Sequence, residues 1–186
     1  MTIKVGVIHG RFQPFHKDHL VYALEAFKRC DFLFIGITNP DTQEMVFQAS
    51  DPKRSLNSSN PLTFWQRALL IQASLHEAGV SPDKFCVVPF PLNHTELLKA
   101  YVPLDARFYM TIYDDWGRHK YDLLSSLGLD VEVLWERDLT HKGITATSIR
   151  QRIAAGEPWE GLVPKAVAGM MKEMALDAKI RAMFQS

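Results

Sequence analysis

Three side chains near the start of the chain have types and spacing suited to binding phosphate groups. Arg11 follows a glycine at position 10, and His16 and His19 lie three residues apart where a helix is predicted to begin. That spacing places both imidazoles on one face of the helix. The first turn of a helix also presents unpaired N–H groups and a partial positive charge. The sequence therefore predicts an anion site that suits a triphosphate.

A strand and a helix must flank this site. Residues 3–8 are mostly apolar and β-branched, which is typical of a buried strand, and residues 17–29 carry apolar side chains at helical spacing. The alternation continues, with further predicted strands at 31–38, 85–90, 107–113 and 131–135 and further helices at 61–78, 96–101, 114–127 and 145–154. Strands that alternate with helices predict an α/β fold with a doubly wound, five-stranded parallel sheet.

Length and composition predict a single domain over residues 1–186. We expect residues 1–163 to form its core and residues 164–186 to form a C-terminal helix. Basic and acidic residues balance at 21 each, which argues against nucleic acid or a membrane surface as a partner. No apolar run is long enough to span a bilayer, and both cysteines, Cys30 and Cys86, lie among apolar residues. We therefore expect a cytoplasmic protein with buried thiols.

Three segments resemble the motifs of one known family. GRFQPFHKDH at residues 10–19 resembles the GRFQPFHxGH signature of the nucleotidyltransferase superfamily, most closely that of the archaeal-type nicotinamide mononucleotide adenylyltransferases. NPLTFWQRALLI at 60–71 is similar to the family's NPxTxxER helix start, and GITATSIRQRI at 143–153 resembles its late IS-x-T-x-IR motif. The resemblance implies a Rossmann-like nucleotidyltransferase fold. One position departs from the signature, because Asp18 stands where the family has glycine.

The resemblance also implies roles for individual residues. His16 and His19 would be catalytic, with His19 stabilising the charge that develops on the α-phosphoryl group. The implied nucleotide-binding residues are Gly10, Arg11, Phe12, His16, His19, Thr147, Ser148 and Arg150. Mg²⁺ is the implied cofactor, because the leaving pyrophosphate needs its charge neutralised. No residue is predicted as a protein ligand of a metal.

The implied reaction transfers AMP from ATP to a small phosphate-bearing acceptor and releases pyrophosphate. Nicotinamide or nicotinate mononucleotide is the first acceptor that the resemblance suggests, and Asn93, His94 and Trp116 are the predicted acceptor-binding residues. The first alternative is a cytidylyl- or adenylyltransferase that acts on another phosphate or a phosphonate. The second is a nucleotide-binding regulator without turnover.

Other interpretations stay open for several of these residues. His16 and His19 could bind zinc with His9, or could be structural hydrogen-bonding residues. The Thr147 and Ser148 hydroxyls could cap their helix. The polar segment 39–60 predicts a mobile active-site loop, with a surface insertion of no role as its alternative.

The predicted last helix carries one apolar face. That face consists of Val167, Met170, Met171 and Met174. It is predicted to pack within the subunit or against a second copy of the chain, which leaves a homo-oligomer as one expectation.

Overall fold

A five-stranded parallel sheet forms the centre of the protein. The computed structural model describes residues 4–41, 59–138 and 143–185. The strands are β1 (Val5–Gly10), β2 (Phe32–Ile37), β3 (Phe85–Pro89), β4 (Arg107–Ile112) and β5 (Asp130–Glu136). Their order is β3-β2-β1-β4-β5, and each adjacent pair is parallel. The prediction of a doubly wound α/β fold is therefore confirmed.

Helices cover both faces of this sheet. The α-helices of the described residues are α1 (Lys17–Phe27), α2 (Phe64–Glu77), α3 (Asp115–Ser126), α4 (Ala146–Ala155), α5 (Lys165–Glu173) and α6 (Leu176–Gln185). Short 3₁₀ helices occur at Pro82–Lys84, Thr95–Ala100 and Glu160–Leu162. None of the helices in the described ranges is long and apolar enough to cross a membrane.

The two faces of β1 contact different helices, because successive side chains of a strand point to opposite faces. Ile8 belongs to an apolar cluster that contains Tyr22 of α1. Val7 belongs to another cluster, with Phe108 of β4 and Leu124 of α3. The carboxyl end of β1 therefore lies between α1 on one side of the sheet and α3 on the other.

α2 begins three residues later than predicted. Its N-cap is Thr63, whose Oγ1 accepts a hydrogen bond from the Gln66 N–H, while Gln66 Oε1 accepts one from the Thr63 N–H. This reciprocal capping pair fixes the first helical residue at Phe64.

The C-terminal region forms two helices where one was predicted. α5 and α6 are separated by Ala175, whose φ of 52° is a left-handed conformation that interrupts a helix. The four residues of the predicted apolar face pack in or against a cluster that contains Leu70 of α2 and Ile149 of α4. That face therefore packs within the subunit.

Two other expectations need correction or fall outside the structure. Cys30 is partly buried, but Cys86 is exposed, so the prediction of two buried thiols is wrong for Cys86. Its strand, β3, lies at the edge of the sheet. Most of the predicted loop over residues 39–60 lies outside the described residues, which omit residues 42–58.

Candidate active site

A cavity of about 510 Å³ opens at the carboxyl ends of β1 and β4. These neighbouring strands mark the point where the strand order changes direction, and ligands of doubly wound folds bind in the crevice at that point. The N-termini of α1, α3 and α4 all contribute residues to the lining. The cavity size is typical of sites for small organic ligands, which measure roughly 300–1,000 Å³.

The two histidines of the first motif stack at the start of α1. Their ring centroids are 3.5 Å apart and the rings are inclined by 23°. His16 is the N-cap residue, and its backbone N–H donates to His19 Nδ1 over 3.4 Å. Because Nδ1 accepts this bond, a neutral His19 carries its proton on Nε2. Burial lowers the pKa of His16 to about 3, so His16 is uncharged at neutral pH.

The start of α4 provides a second set of polar groups. Thr145 is its N-cap, and Thr145 Oγ1 accepts a hydrogen bond of 3.1 Å from the Ser148 N–H. The Ser148 hydroxyl donates to the Thr145 carbonyl over 2.8 Å, so Ser148 takes part in capping. Thr147 lines the cavity, and its Oγ1 accepts a hydrogen bond from Arg150 Nη2 over 3.2 Å.

Arg150 lies behind the cavity wall. Its Nη1 donates to the Gln13 carbonyl over 2.7 Å, and burial lowers its pKa to about 10, so it stays charged at neutral pH. The lining found among the described residues includes Gly10, Arg11, Phe12, His16, His19 and Thr147 but neither Ser148 nor Arg150. From this position Arg150 joins α4 to the segment before α1.

Asp18 makes a second connection between these two helix starts. Its Oδ2 accepts a hydrogen bond of 2.7 Å from the Ile144 N–H, which is 126 residues away in the chain. A Cβ atom at Gly143 would lie only 2.6 Å from the same oxygen. Asp18 and Gly143 are therefore sterically matched, and the residue that departs from the family signature ties α1 to the segment before α4.

Arg67 is a residue of this region that the sequence analysis did not single out. Its side chain is fully buried, at 0 % exposure, and its pKa is lowered to about 10 by burial and by the charge of Arg11. Its guanidinium donates to the carbonyl oxygens of Thr63 (3.2 Å), Arg11 (3.0 Å), Thr38 (2.8 Å) and Asn39 (2.7 Å). Arg67 thus ties α2 to the segments that follow β1 and β2. Its position within the 60–71 motif was the sequence feature that could have indicated a role for Arg67.

Two of the three residues predicted to bind the acceptor also line the cavity. Asn93 and Trp116 line it, and Trp116 packs on His119 with ring centroids 5.4 Å apart. His94 lines a neighbouring cavity instead, 3.6 Å from Glu96. Lys120 of α3 is a lining residue that the sequence did not indicate, because one lysine on a helix is usually a surface residue.

Comparison with known proteins identifies the family. A model of the cytidylyltransferase-like family matches residues 7–152. The chain belongs to this family of nucleotidyltransferases. The match spans all three motifs except the last residue of the third, and it confirms the nucleotidyltransferase resemblance stated from the sequence.

Two relatives differ in the reactions that their names describe. Phosphonoformate cytidylyltransferase of Streptomyces viridochromogenes is 49 % identical over 95 % of this chain and 95 % of its own length. Nicotinamide-nucleotide adenylyltransferase of Pyrococcus furiosus is 31 % identical over 96 % of this chain and 88 % of its own length.

A solved structure with the same fold is the bifunctional NMN adenylyltransferase/ADP ribose pyrophosphatase of Francisella tularensis, in complex with AMP and a manganese ion. Its TM-score is 0.65 at 20 % identity, and the match covers 97 % of this chain. The chain spans about half, 52 %, of that protein. This likeness supports the fold, including the parallel five-stranded sheet.

Proposed function

We propose that this protein transfers a cytidylyl group from CTP to phosphonoformate, with release of pyrophosphate. The main support for this proposal is the 49 % identity, over 95 % of both chains, to a phosphonoformate cytidylyltransferase. This reaction is the phosphonate alternative predicted from the sequence, and it replaces adenylyl transfer to a mononucleotide as the proposed activity. The N-termini of α1 and α4 converge on one cavity, which supports a triphosphate as the donor.

In the proposed reaction, a phosphonate oxygen of the acceptor attacks the α-phosphorus of CTP. A P–O bond forms to the acceptor, the bond from the α-phosphorus to the bridging oxygen breaks, and pyrophosphate leaves with that electron pair. The attacking oxygen is already anionic, so no general base is required. Catalysis then depends on in-line positioning and on stabilising negative charge as it redistributes.

The residues at the starts of α1 and α4 have different roles in positioning the triphosphate and stabilising its charge. His19, whose Nε2 carries the proton of the neutral ring, donates toward the α-phosphoryl oxygens, while His16 holds it through the ring stack and the 3.4 Å backbone hydrogen bond. Arg11 and Thr147 hold the outer phosphates, and Arg150 positions the Thr147 hydroxyl.

Mg²⁺ would bind in this site together with the triphosphate. Among the described residues, no group of three or more His, Cys, Asp and Glu side chains could hold a metal ion. Mg²⁺ usually needs few protein ligands when substrate phosphates supply the rest. It would be held mainly by the triphosphate, beside Asp18 in the cavity lining, and would neutralise charge on the leaving pyrophosphate.

A matrix of substrates tests the proposal. Pyrophosphate release is measured for CTP or ATP, each combined with phosphonoformate or nicotinamide mononucleotide, at matched Mg²⁺. CTP with phosphonoformate is expected to give the highest kcat/KM by at least tenfold. Higher kcat/KM for ATP with the mononucleotide would support the second candidate, which the relative from Pyrococcus furiosus favours. Tight nucleotide binding without pyrophosphate release from any pair would support a regulator.

A further inference from the structure

His9 is a buried polar side chain that has no role in the proposed triphosphate binding at the starts of α1 and α4. It precedes the last residue of β1 and lines the cavity. It is 4 % exposed, and within the described chain neither of its ring nitrogens has a hydrogen-bond partner. A buried polar group without a partner costs free energy, which a bound ligand could recover.

The position of the His9 ring is fixed by packing. It stacks on Phe90 with centroids 4.8 Å apart and an inclination of 15°. Phe90 in turn packs closely on Gly36, the residue of β2 that is paired with His9, since a Cβ atom there would lie 2.6 Å from Phe90. The ring is therefore held in place without using either nitrogen.

The side of the sheet on which His9 lies separates it from the two histidines of α1. His9 shares its face of β1 with Val7, whose cluster contains Phe90 and Leu124 of α3. α1 covers the other face. The starts of α1 and α4 carry the residues assigned to the triphosphate, so the α3 side of the cavity lining is the part left for the acceptor. His9 lies on that side, together with Lys120.

We propose that His9 binds the acceptor, with its ring N–H donating a hydrogen bond to an anionic oxygen of the carboxylate in a small phosphonocarboxylate. This inference rests on the proposed function and assigns the residue that recognises the second acidic group of the acceptor. Burial, and secondarily the charge of Lys120, hold the pKa of His9 well below its ordinary value, so the ring is neutral and has one donor and one acceptor nitrogen. The neighbouring lysine adds favourable charge for an acidic ligand.

A set of histidine variants tests the inference. His9→Phe keeps an aromatic ring on Phe90 but removes both nitrogens, and His9→Asn restores a hydrogen-bond donor. His76→Phe is the matched control, because His76 lies in α2 outside the cavity lining and contacts Phe85 at a centroid distance of 6.2 Å. KM for phosphonoformate, KM for CTP and Tm are measured for each variant and for wild type.

The expected result separates acceptor binding from structural support. His9→Phe should raise KM for phosphonoformate at least tenfold, while KM for CTP changes less than twofold and Tm does not fall. His9→Asn should show a smaller rise, and His76→Phe should match wild type. The preference for phosphonoformate over methylphosphonate should also fall about tenfold in His9→Phe, because methylphosphonate lacks the carboxylate.

Other outcomes overturn the inference in distinguishable ways. If wild type uses phosphonoformate but His9→Phe keeps the wild-type KM for it, the assignment of His9 is wrong and the proposed function stands. If His9→Phe does not fold, an unchanged KM in His9→Asn has the same meaning. If wild type releases no pyrophosphate from CTP and phosphonoformate, the proposed function is wrong and the inference falls with it.

Discussion

The two ends of the cavity differ in the hydrogen bonds that their side chains make. The triphosphate end consists of the starts of α1 and α4, and the acceptor end consists of Asn93 and the start of α3. At the triphosphate end, side chains bond to backbone groups far away in the sequence: Asp18 to Ile144 and Arg150 to Gln13, 137 residues apart. At the acceptor end, Asp114 caps its own helix through the Gly117 N–H. The long connections make the triphosphate end depend on several segments at once. The capping bond of Asp114 lies within four residues of the chain, so a change there is expected to disturb fewer segments than a change at Asp18 or Arg150.

The strongest test of this difference removes Arg67. Arg67→Met should lower the free energy of unfolding by about 3 kcal/mol or more, because three carbonyl oxygens in the segments after β1 and β2 lose their donor. Urea unfolding measures the change, and Arg152→Met, an exposed site on α4, serves as the control, with a change within about 0.5 kcal/mol. A loss below 1 kcal/mol in Arg67→Met would show that the triphosphate end does not depend on this connection.

The next largest effect is expected from His19→Ala. Turnover should fall about 100-fold, or about 2.7 kcal/mol, while the Kd for CTP rises much less, because the lost interaction acts mainly on the transition state. Asn93→Ala at the acceptor end should instead raise KM for the acceptor several-fold with a small change in kcat. Rapid-quench kinetics and calorimetry measure these quantities. Equal factors in Kd and kcat for His19→Ala would contradict its assigned role.

Acidification should weaken the triphosphate end through His16. Its folded-state pKa of about 3 lies below the ordinary value of 6.5, so only the unfolded state takes up this proton between those values. Stability from this residue is therefore lost as pH falls below 6.5, by about 2 kcal/mol at pH 5. Urea unfolding at pH 6.5 and at pH 5 measures the change, and His16→Gln should lose less free energy of unfolding between these two pH values than wild type. An equal loss in that variant would place the proton uptake elsewhere.

A smaller effect is expected at Asp18. Asp18→Ala should raise KM for CTP about tenfold, because the Ile144 N–H loses its acceptor and the start of α4 is less well positioned. Asp18→Asn keeps an oxygen that can accept this bond and should lie closer to wild type. Steady-state kinetics with CTP as the varied substrate measures both. Tighter CTP binding in Asp18→Gly would show that the carboxylate intrudes on the nucleotide instead of positioning the loop.

The sequence was informative where local interactions decide the structure. The five strands and the starts of α1 and α4 could be predicted because hydrophobic periodicity and turn residues act within a few positions. The same locality makes a motif such as residues 10–19 recognisable, since its backbone N–H groups and imidazoles come from one segment. Chemistry that needs one helix start can be predicted from one stretch of sequence.

Tertiary structure alone determined how these segments meet. Arg67 is a charged residue in a helical pattern, and its burial is explained by four carbonyl partners, three of which come from distant parts of the chain. Asp18 gained a role because Ile144 lies beside it, and His9 became a candidate ligand-binding residue because its ring stacks on Phe90 while neither ring nitrogen has a partner in the described chain. The physical reason is common to all three. The free energy of a buried polar group depends on the partners that surround it, and those partners are brought together only by the folded chain.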